Sequence, residues 1–313
     1  MNLVVVNSNA AGGKTLRIWP RLEPLLLKTF GKEMIIAITQ RVDEVVGYID
    51  QALELGVERI FVIGGDGSNH AIVNALLDRP LAQGERPVAI GQIPVGTGRD
   101  WARTLGIPTD PARAVRWLAE AEPRPCDVGR VSFGGQSRVF LNIASAGVGA
   151  DVTHRVNAVA RRRPWTFLRA ILISLLRYRP QPVRVIADGA LFYEGTICIA
   201  AVANGQWFGH GIWAAPDARY NDGLFDVVLL EGMSRPKVLR VLPQAYKGEH
   251  IGRPDVHVTR ARRVDVMSLD GKPIGIELDG EPDASDRLSF EVLPAAVQML
   301  IKPAAGADTG EAE

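Results

Sequence analysis

The run LVVV, flanked by Asn2 and Asn7, is continuously apolar, as expected of a strand buried on both faces. MIIAIT at 34–39 and RIFVIGG at 59–65 repeat the pattern, and a fourth strand is expected over 88–93. Between them lie segments with helical spacing: 14–30, interrupted or adjusted near Pro20 and Pro24, then 43–55 and 68–77. Strands alternating with helices predict a parallel sheet covered by helices. Beyond Cys126 the pattern changes. RVFLNIAS at 138–145, TICIAAVAN at 196–204 and LFDVVLL at 224–230 are short β-rich runs separated by Gly, Asn and Asp. One helical stretch, 164–178, interrupts them. A second, mostly antiparallel β domain is therefore expected, with the boundary near residues 123–127.

Composition narrows the functional classes. The chain has 313 residues, enough for two cores, and its net charge of +1 lacks the basic footprint of a nucleic-acid binder. Cys126 and Cys198 show no CxxC spacing and read as buried small hydrophobes in a reducing compartment. The apolar opening is one strand long with no basic region before it, and the longest apolar run, 171–176, is far short of a bilayer span. A cytoplasmic protein is expected. The five histidines have no metal-binding spacing, there is no GxSxG elbow, and the tail AAGADTGEAE reads as disordered.

The candidate chemistry sits at the strand ends. SNAAGGKT at 8–15 is a phosphate-loop pattern with Ser8 in place of its first glycine. RIFVIGG runs directly into GGDGSNH at 64–70 and then into a helix, so glycine amides and a helix N-terminus can approach an anion together. Asp66 among those glycines would repel phosphate unless magnesium or ordered water lies between. IPVGTGRDWAR at 93–103 repeats the arrangement, with Thr97 as a phosphate donor and Asp100 as either a second carboxylate or a helix cap. Two such loops on one sheet edge mark a ligand crevice.

These loops, with NIASAGVGADV at 142–152, PDARYNDGLFDVVLL at 216–230 and ELDGE at 277–281, resemble the motifs of the bacterial diacylglycerol kinase-like lipid kinases. That family is related to sphingosine kinases and, more distantly, to NAD kinases. The resemblance implies a phosphofructokinase-like or NAD kinase-like α/β domain over 1–125 and a β-sandwich domain over 126–290. It also implies that a segment near 290–303 returns to the first domain, leaving 304–313 as a tail. ATP would bind between the domains, and its γ-phosphate would pass to a lipid hydroxyl. Carried over by position, the nucleotide site would use Asn7, Gly12, Gly13, Thr39, Gly64, Gly65, Asp66, Gly67, Ser68, Asn69 and Thr97. Asp66, Asp100 and Asp127 would hold catalytic Mg2+ and its waters, and Asp279 or Glu281 would be the base. A structural magnesium in the second domain would use Asp222 with the backbone carbonyls of Arg219 and Leu224. Arg99 stands where the family has asparagine, which bears on the orientation of Asp100.

The acceptor end is less specified. Arginines at 155, 161–163, 169, 177 and 179 surround an apolar helical stretch, and no Asp or Glu occurs between Asp151 and Asp188. Such a segment suits either a peripheral contact with the inner face of a membrane or a core helix with solvated arginines. Trp207, Phe208 and Trp213 are candidates for an acyl pocket or for ordinary core. A lipid substrate, no nucleic acid, and an open choice between monomer and homodimer complete the expectation. A soluble-substrate kinase of the NAD kinase or phosphofructokinase type, and a catalytically weak nucleotide- or lipid-binding regulator, remain alternatives.

Overall fold

The computed structural model describes residues 1–41, 44–79, 87–96, 98–159 and 165–303. Thr97, Arg161 to Arg163 and the tail at 304–313 lie outside the described residues, as do the first residues expected of the helices at 43 and 164. The first half alternates β1 (Asn2–Asn7), α1 (Lys14–Phe30), β2 (Met34–Thr39), α2 (Glu44–Glu54), β3 (Arg59–Gly64), α3 (Asp66–Leu77) and β4 (Ala89–Pro94). Two short helices follow, α4 (Asp100–Thr104) and α5 (Pro111–Leu118). All four strands are parallel, with β1 and β3 central, so their glycine-containing ends share one edge. Leu3 to Val6 and Ile60 to Ile63 are fully buried because helices cover both faces. The α1 helix does not break at Pro20 or Pro24. Trp19, Leu22 and Leu26 are buried on its inner face, and that packing outweighs the lost backbone hydrogen bonds.

The second half is mostly antiparallel. It comprises β5 (Glu122–Phe133), β6 (Gln136–Phe140), β7 (Ile143–Gly147), α6 (Val148–Asn157), α7 (Thr166–Arg177), β8 (Gln181–Ala187) and β9 (Ala190–Ala203). Then come the two-residue strands β10 (Trp207–Phe208) and β11 (Ile212–Trp213), β12 (Phe225–Glu231) and α8 (Arg235–Ala245). The chain closes with β13 (Val256–Ala261), β14 (Arg263–Ser268), β15 (Ile274–Leu278), β16 (Glu281–Ser285) and β17 (Arg287–Ile301). The run expected as one strand over 138–145 is divided between β6 and β7, which lie on different neighbours.

β17 joins the two halves. Its first part pairs with β14 and β5 in the antiparallel region, while Gln298 and Met299 pair in parallel with β4. The ladder with β5 changes register between Leu293 and Val297, where Ala295 adopts φ 51. Asp127 holds this bulge: its carboxylate accepts from Ala295 N at 2.7 Å and from Gly223 N at 2.7 Å. Asn204 Nδ2 also donates to the Asp127 carbonyl at 2.8 Å. Asp127 is therefore a buried crosslink among three segments.

The antiparallel core packs around Phe140, which stacks on Phe225 at 5.6 Å and meets Phe290 edge-on at 6.3 Å. Gly129 lies directly across the ladder from Phe140, and a Cβ there would overlap three atoms of its ring. Gly129→Ala is expected to cost about 1–3 kcal/mol through this overpacking. Thermal melting checks it: an unchanged Tm would mean the ring has room to move.

Candidate active site

The loop after β3 and the loop after β4 touch. A Cβ on Gly96 would lie 3.1 Å from Gly65 Cα, a tight contact, so a larger residue at this crossing would push the two loops apart by a few tenths of an ångström. Gly64 is filled from the other side, since a Cβ there would collide with the Ser68 side chain. Ser68 Oγ accepts from Asn7 Nδ2 at 2.9 Å, which ties the first loop to the second. The first loop itself is anchored on β2: Ser8 donates to the Thr39 carbonyl through both N (2.9 Å) and Oγ (2.8 Å). The residue that departs from the phosphate-loop pattern is thus a structural anchor. Ala11, Gly12 and Gly13 all have positive φ, and α1 begins only after them, with Lys14 exposed at its start.

Asp66 begins α3 and caps a different helix. Its two oxygens accept from Asp100 N and Trp101 N, each at 3.3 Å, at the start of α4. Asp100 is the first residue of α4, and Arg99 occupies the cap position in the left-handed region at φ 58. This conformation favours Asn several-fold over most non-glycine residues, so the arginine here stands in a backbone suited to asparagine. Its side chain turns back, with Nε donating to Gly96 O at 2.8 Å. Asp100 Oδ1 takes Arg103 Nη1 at 2.6 Å and Oδ2 takes His210 N at 2.9 Å.

Burial raises the pKa of both carboxyls. Asp66 is pushed up to about 7, first by desolvation and then by the charge of Asp100. Asp100 is also raised by desolvation, partly offset by the His210 amide and Arg103. A cation beside Asp66 would relieve both costs. Its donor set fits magnesium held through one or two carboxylates with water and substrate phosphates completing the shell. Among the described residues no group of three His, Cys, Asp or Glu is arranged to hold a metal ion. Asp127 stands apart from Asp66 and Asp100: it holds Gly223 N and Ala295 N at the β17 bulge and does not line the cavity, described below, that those two carboxylates line. The second magnesium site expected around Asp222 meets a competing cation. Asp222 pairs with the Arg260 guanidinium, which also lies 3.5 Å from Asp226, so a side-chain cation already sits there.

ELDGE forms the β15–β16 hairpin, with Asp279 and Gly280 as its two turn residues at φ 46 and 99. The turn also presents chemistry. Asp279 accepts from Leu141 N at 2.7 Å, Asn142 N at 3.1 Å and His70 Nδ1 at 3.1 Å. Three donors anchor this carboxyl group in place. Glu281 is exposed and lines the cavity described below. Glu277, which sequence reasoning passed over, accepts from Gly280 N at 2.7 Å and from Ser145 Oγ at 3.1 Å. Burial and the Asp279 charge push its pKa up to about 7.

A cavity of 780 Å³ begins at these loops. Asn7, Gly12, Gly65, Asp66, Gly67, Ser68, Asp100, Asp279 and Glu281 line its polar end. Its other end runs between α6, α7, α8 and the sheet, against Val152, Phe167, Ile171, Leu175, Ile199 and Val238. His250 lines it too, but burial lowers its pKa and Nε2 donates to Ala214 O at 3.0 Å, so it adds no charge. Phe208 reaches the cavity, whereas Trp207 and Trp213 stack on each other at 4.9 Å. Thr39, Gly13 and Gly64 support the loops from behind. Asn69 is buried on α3 with both amide atoms lacking a hydrogen-bond partner.

The catalytic-domain model of diacylglycerol kinases matches residues 2–131, and the YegS C-terminal NAD kinase beta sandwich-like domain matches residues 142–301. The chain belongs to the diacylglycerol kinase-like lipid kinase family. A diacylglycerol kinase of Mycobacterium tuberculosis is 32% identical over 80% of this chain and 78% of its own length. A probable YegS-like lipid kinase of Stenotrophomonas maltophilia is 29% identical over 86% of this chain and 87% of its own. A crystal structure of a putative diacylglycerol kinase from Bacillus anthracis has a TM-score of 0.74 at 21% identity, covering 97% of each chain, and so shares the fold. Membership in this family agrees with the α/β half, the antiparallel half and a kinase activity.

The raised Glu277 pKa carries a stability consequence. Its ordinary value is 4.5, so between about 4.5 and 7 the folded protein keeps a proton that the unfolded chain has lost. Stability therefore falls as pH rises through this window. Glu277→Gln, which can keep both hydrogen bonds, is expected to melt progressively higher relative to the parent from pH 4.5 to 7. A pH-independent difference in Tm would refute the assignment.

Proposed function

We propose that this kinase transfers the γ-phosphate of ATP to the hydroxyl of a lipid of the diacylglycerol class. The observation that carries the reading is the single cavity that joins glycine loops and carboxylates to an apolar recess behind α7. A sugar phosphate or a dinucleotide has no use for that recess, whereas an acyl chain fits it. Backbone amides of the crossed loops and the N-terminus of α3 bind and orient the phosphates. Asp66 beside Asp100 would hold magnesium, which when bound would supply charge neutralisation on the phosphate oxygens. Asp279 anchors the turn, and Glu281 takes the proton from the acceptor hydroxyl. Arg99, turned back onto Gly96 O, leaves Asp100 held by Arg103 and His210, which favours an active kinase over a regulator.

The α7 helix supports a transient contact with the membrane. Phe167, Ile171 and Leu175 face the cavity. The opposite side exposes Trp165, Leu168, Leu172 and Leu176 at 52, 45, 38 and 52%, and Arg169, Arg177 and Arg179 are exposed beside them. An apolar stripe edged with arginines suits an anionic bilayer, where each basic side chain adds about 1 kcal/mol. No helix among the described residues is long and apolar enough to cross a membrane.

Radiolabelled ATP offered with diacylglycerol, sphingoid bases, NAD and sugar phosphates tests the reaction. Label is expected in lipid, and Glu281→Gln should lower kcat by 10²-fold or more with ATP affinity intact, a loss typical of general-base removal. Transfer to NAD and to no lipid would refute the proposal. For the membrane contact, Leu168→Glu with Leu172→Glu should weaken co-sedimentation with phosphatidylglycerol vesicles. The same variant should phosphorylate a monomeric short-chain lipid as well as the parent does. Equal vesicle binding would place the contact elsewhere.

A further inference from the structure

Asp66 and His70 are four residues apart on α3 and therefore lie on the same face, one turn from each other. Asp66 belongs to the donor loop. His70 reaches across to the acceptor turn, with Nδ1 3.1 Å from Asp279 Oδ2. An ionised carboxylate only accepts hydrogen bonds, so Nδ1 carries the proton. The other two partners of Asp279, Leu141 N and Asn142 N, come from the antiparallel half, so His70 is the contact to this carboxylate from α3. Asp279 has a left-handed backbone, uncommon for a residue other than glycine, and needs its surroundings to hold it. One turn further along, Asn74 clasps β6, giving Nδ2 to Val139 O at 3.3 Å and taking Val139 N at 3.4 Å, while Nδ2 also donates to the His70 carbonyl at 2.8 Å.

We propose that His70 is a positioning residue that registers the acceptor turn, and Glu281 with it, against the phosphate-donor loop on the same helix. The proposal rests on the lipid kinase reading for its acceptor and on the hairpin geometry for its mechanism. Because α3 is rigid between Asp66 and His70, the His70–Asp279 bond converts the helix into a spacer between donor and acceptor groups. His70 faces Asp279 and Glu281 on the hairpin and Arg138 on β6. Burial works against its charge, but the hydrogen bond to Asp279 and the two carboxylates outweigh burial and Arg138, leaving the pKa above 6.5. The ion pair is thus complete at low pH and loses its charge as pH rises through that raised value.

The test compares His70→Leu, His70→Gln and Asn74→Ala in steady-state kinetics, with Tm measured for each. A misplacement of about 1 Å is worth up to 10²-fold, so His70→Leu should lose roughly 10- to 100-fold in kcat. KM for ATP and for lipid should stay within about threefold. His70→Gln, which keeps a donor, should recover most of the loss. The parent should show a break in log kcat above pH 6.5 that His70→Gln lacks. Asn74→Ala, which opens the neighbouring clasp and its own bond to the His70 carbonyl but leaves the His70–Asp279 side-chain bond, should retain kcat and the break. An unchanged kcat in His70→Leu, or the same kcat loss and pH profile in Asn74→Ala, would overturn the proposal. If the parent phosphorylates NAD and not lipid, the lipid reading falls, and the three variants are compared on NAD. If it transfers phosphate to no acceptor, both readings fall.

Discussion

The pairing of β5 with β17 is the constraint on which the molecule depends. The two strands run side by side through both halves, from Ser132 and Ser289 to Glu122 and Ile301. Beyond the bulge at Ala295, β17 also lies against β4, so the parallel and antiparallel regions form one hydrogen-bonded sheet. The cleft between them is therefore set by a backbone ladder, which resists shear, and Asp127 locks the point where the register changes. Everything at the cleft inherits this geometry: the crossed glycine loops come from one side and the ELDGE hairpin from the other.

Within that frame the site concentrates negative charge in a place that disfavours it. Asp66, Asp100, Glu277 and Asp279 are all buried or nearly so, and desolvation raises the pKa of the first three. Each carboxylate is retained through a distinct set of donors. Asp66 caps α4, Asp100 takes Arg103, Glu277 braces its own hairpin and Asp279 is held from three sides. Glu281, on the exposed side of the turn, lines the same cavity, in keeping with the base proposed above. The buried carboxylates whose desolvation costs stability are what a cation would complete.

The apolar half of the cavity follows from α7 being apolar on two sides. Ile171 and Leu175 face inward, while Leu168, Leu172 and Leu176 face out at helical spacing. A helix that only covered a core would be polar outside. Here one helix separates the recess from the surface, and its arginines edge the outward stripe.

The sequence alone determined the strand–helix alternation, the change to antiparallel texture after Cys126, and the two glycine loops, because these are written in local periodicity and in backbone requirements that only glycine meets. The family motifs likewise located Asp66, Asp100 and ELDGE. Tertiary structure decided what pattern cannot encode: which partner each carboxylate meets. Asp127 looked like a third member of the acidic group but is spent on the β17 bulge. Asp222 looked like a metal ligand but meets Arg260, 38 residues away. His70 closed the GGDGSNH run with no role assigned to it, and its bond to Asp279 spans 209 residues of sequence. Hydrogen bonds over such separations depend on the β5–β17 register and the placement of α3, which arise only when the whole sheet closes.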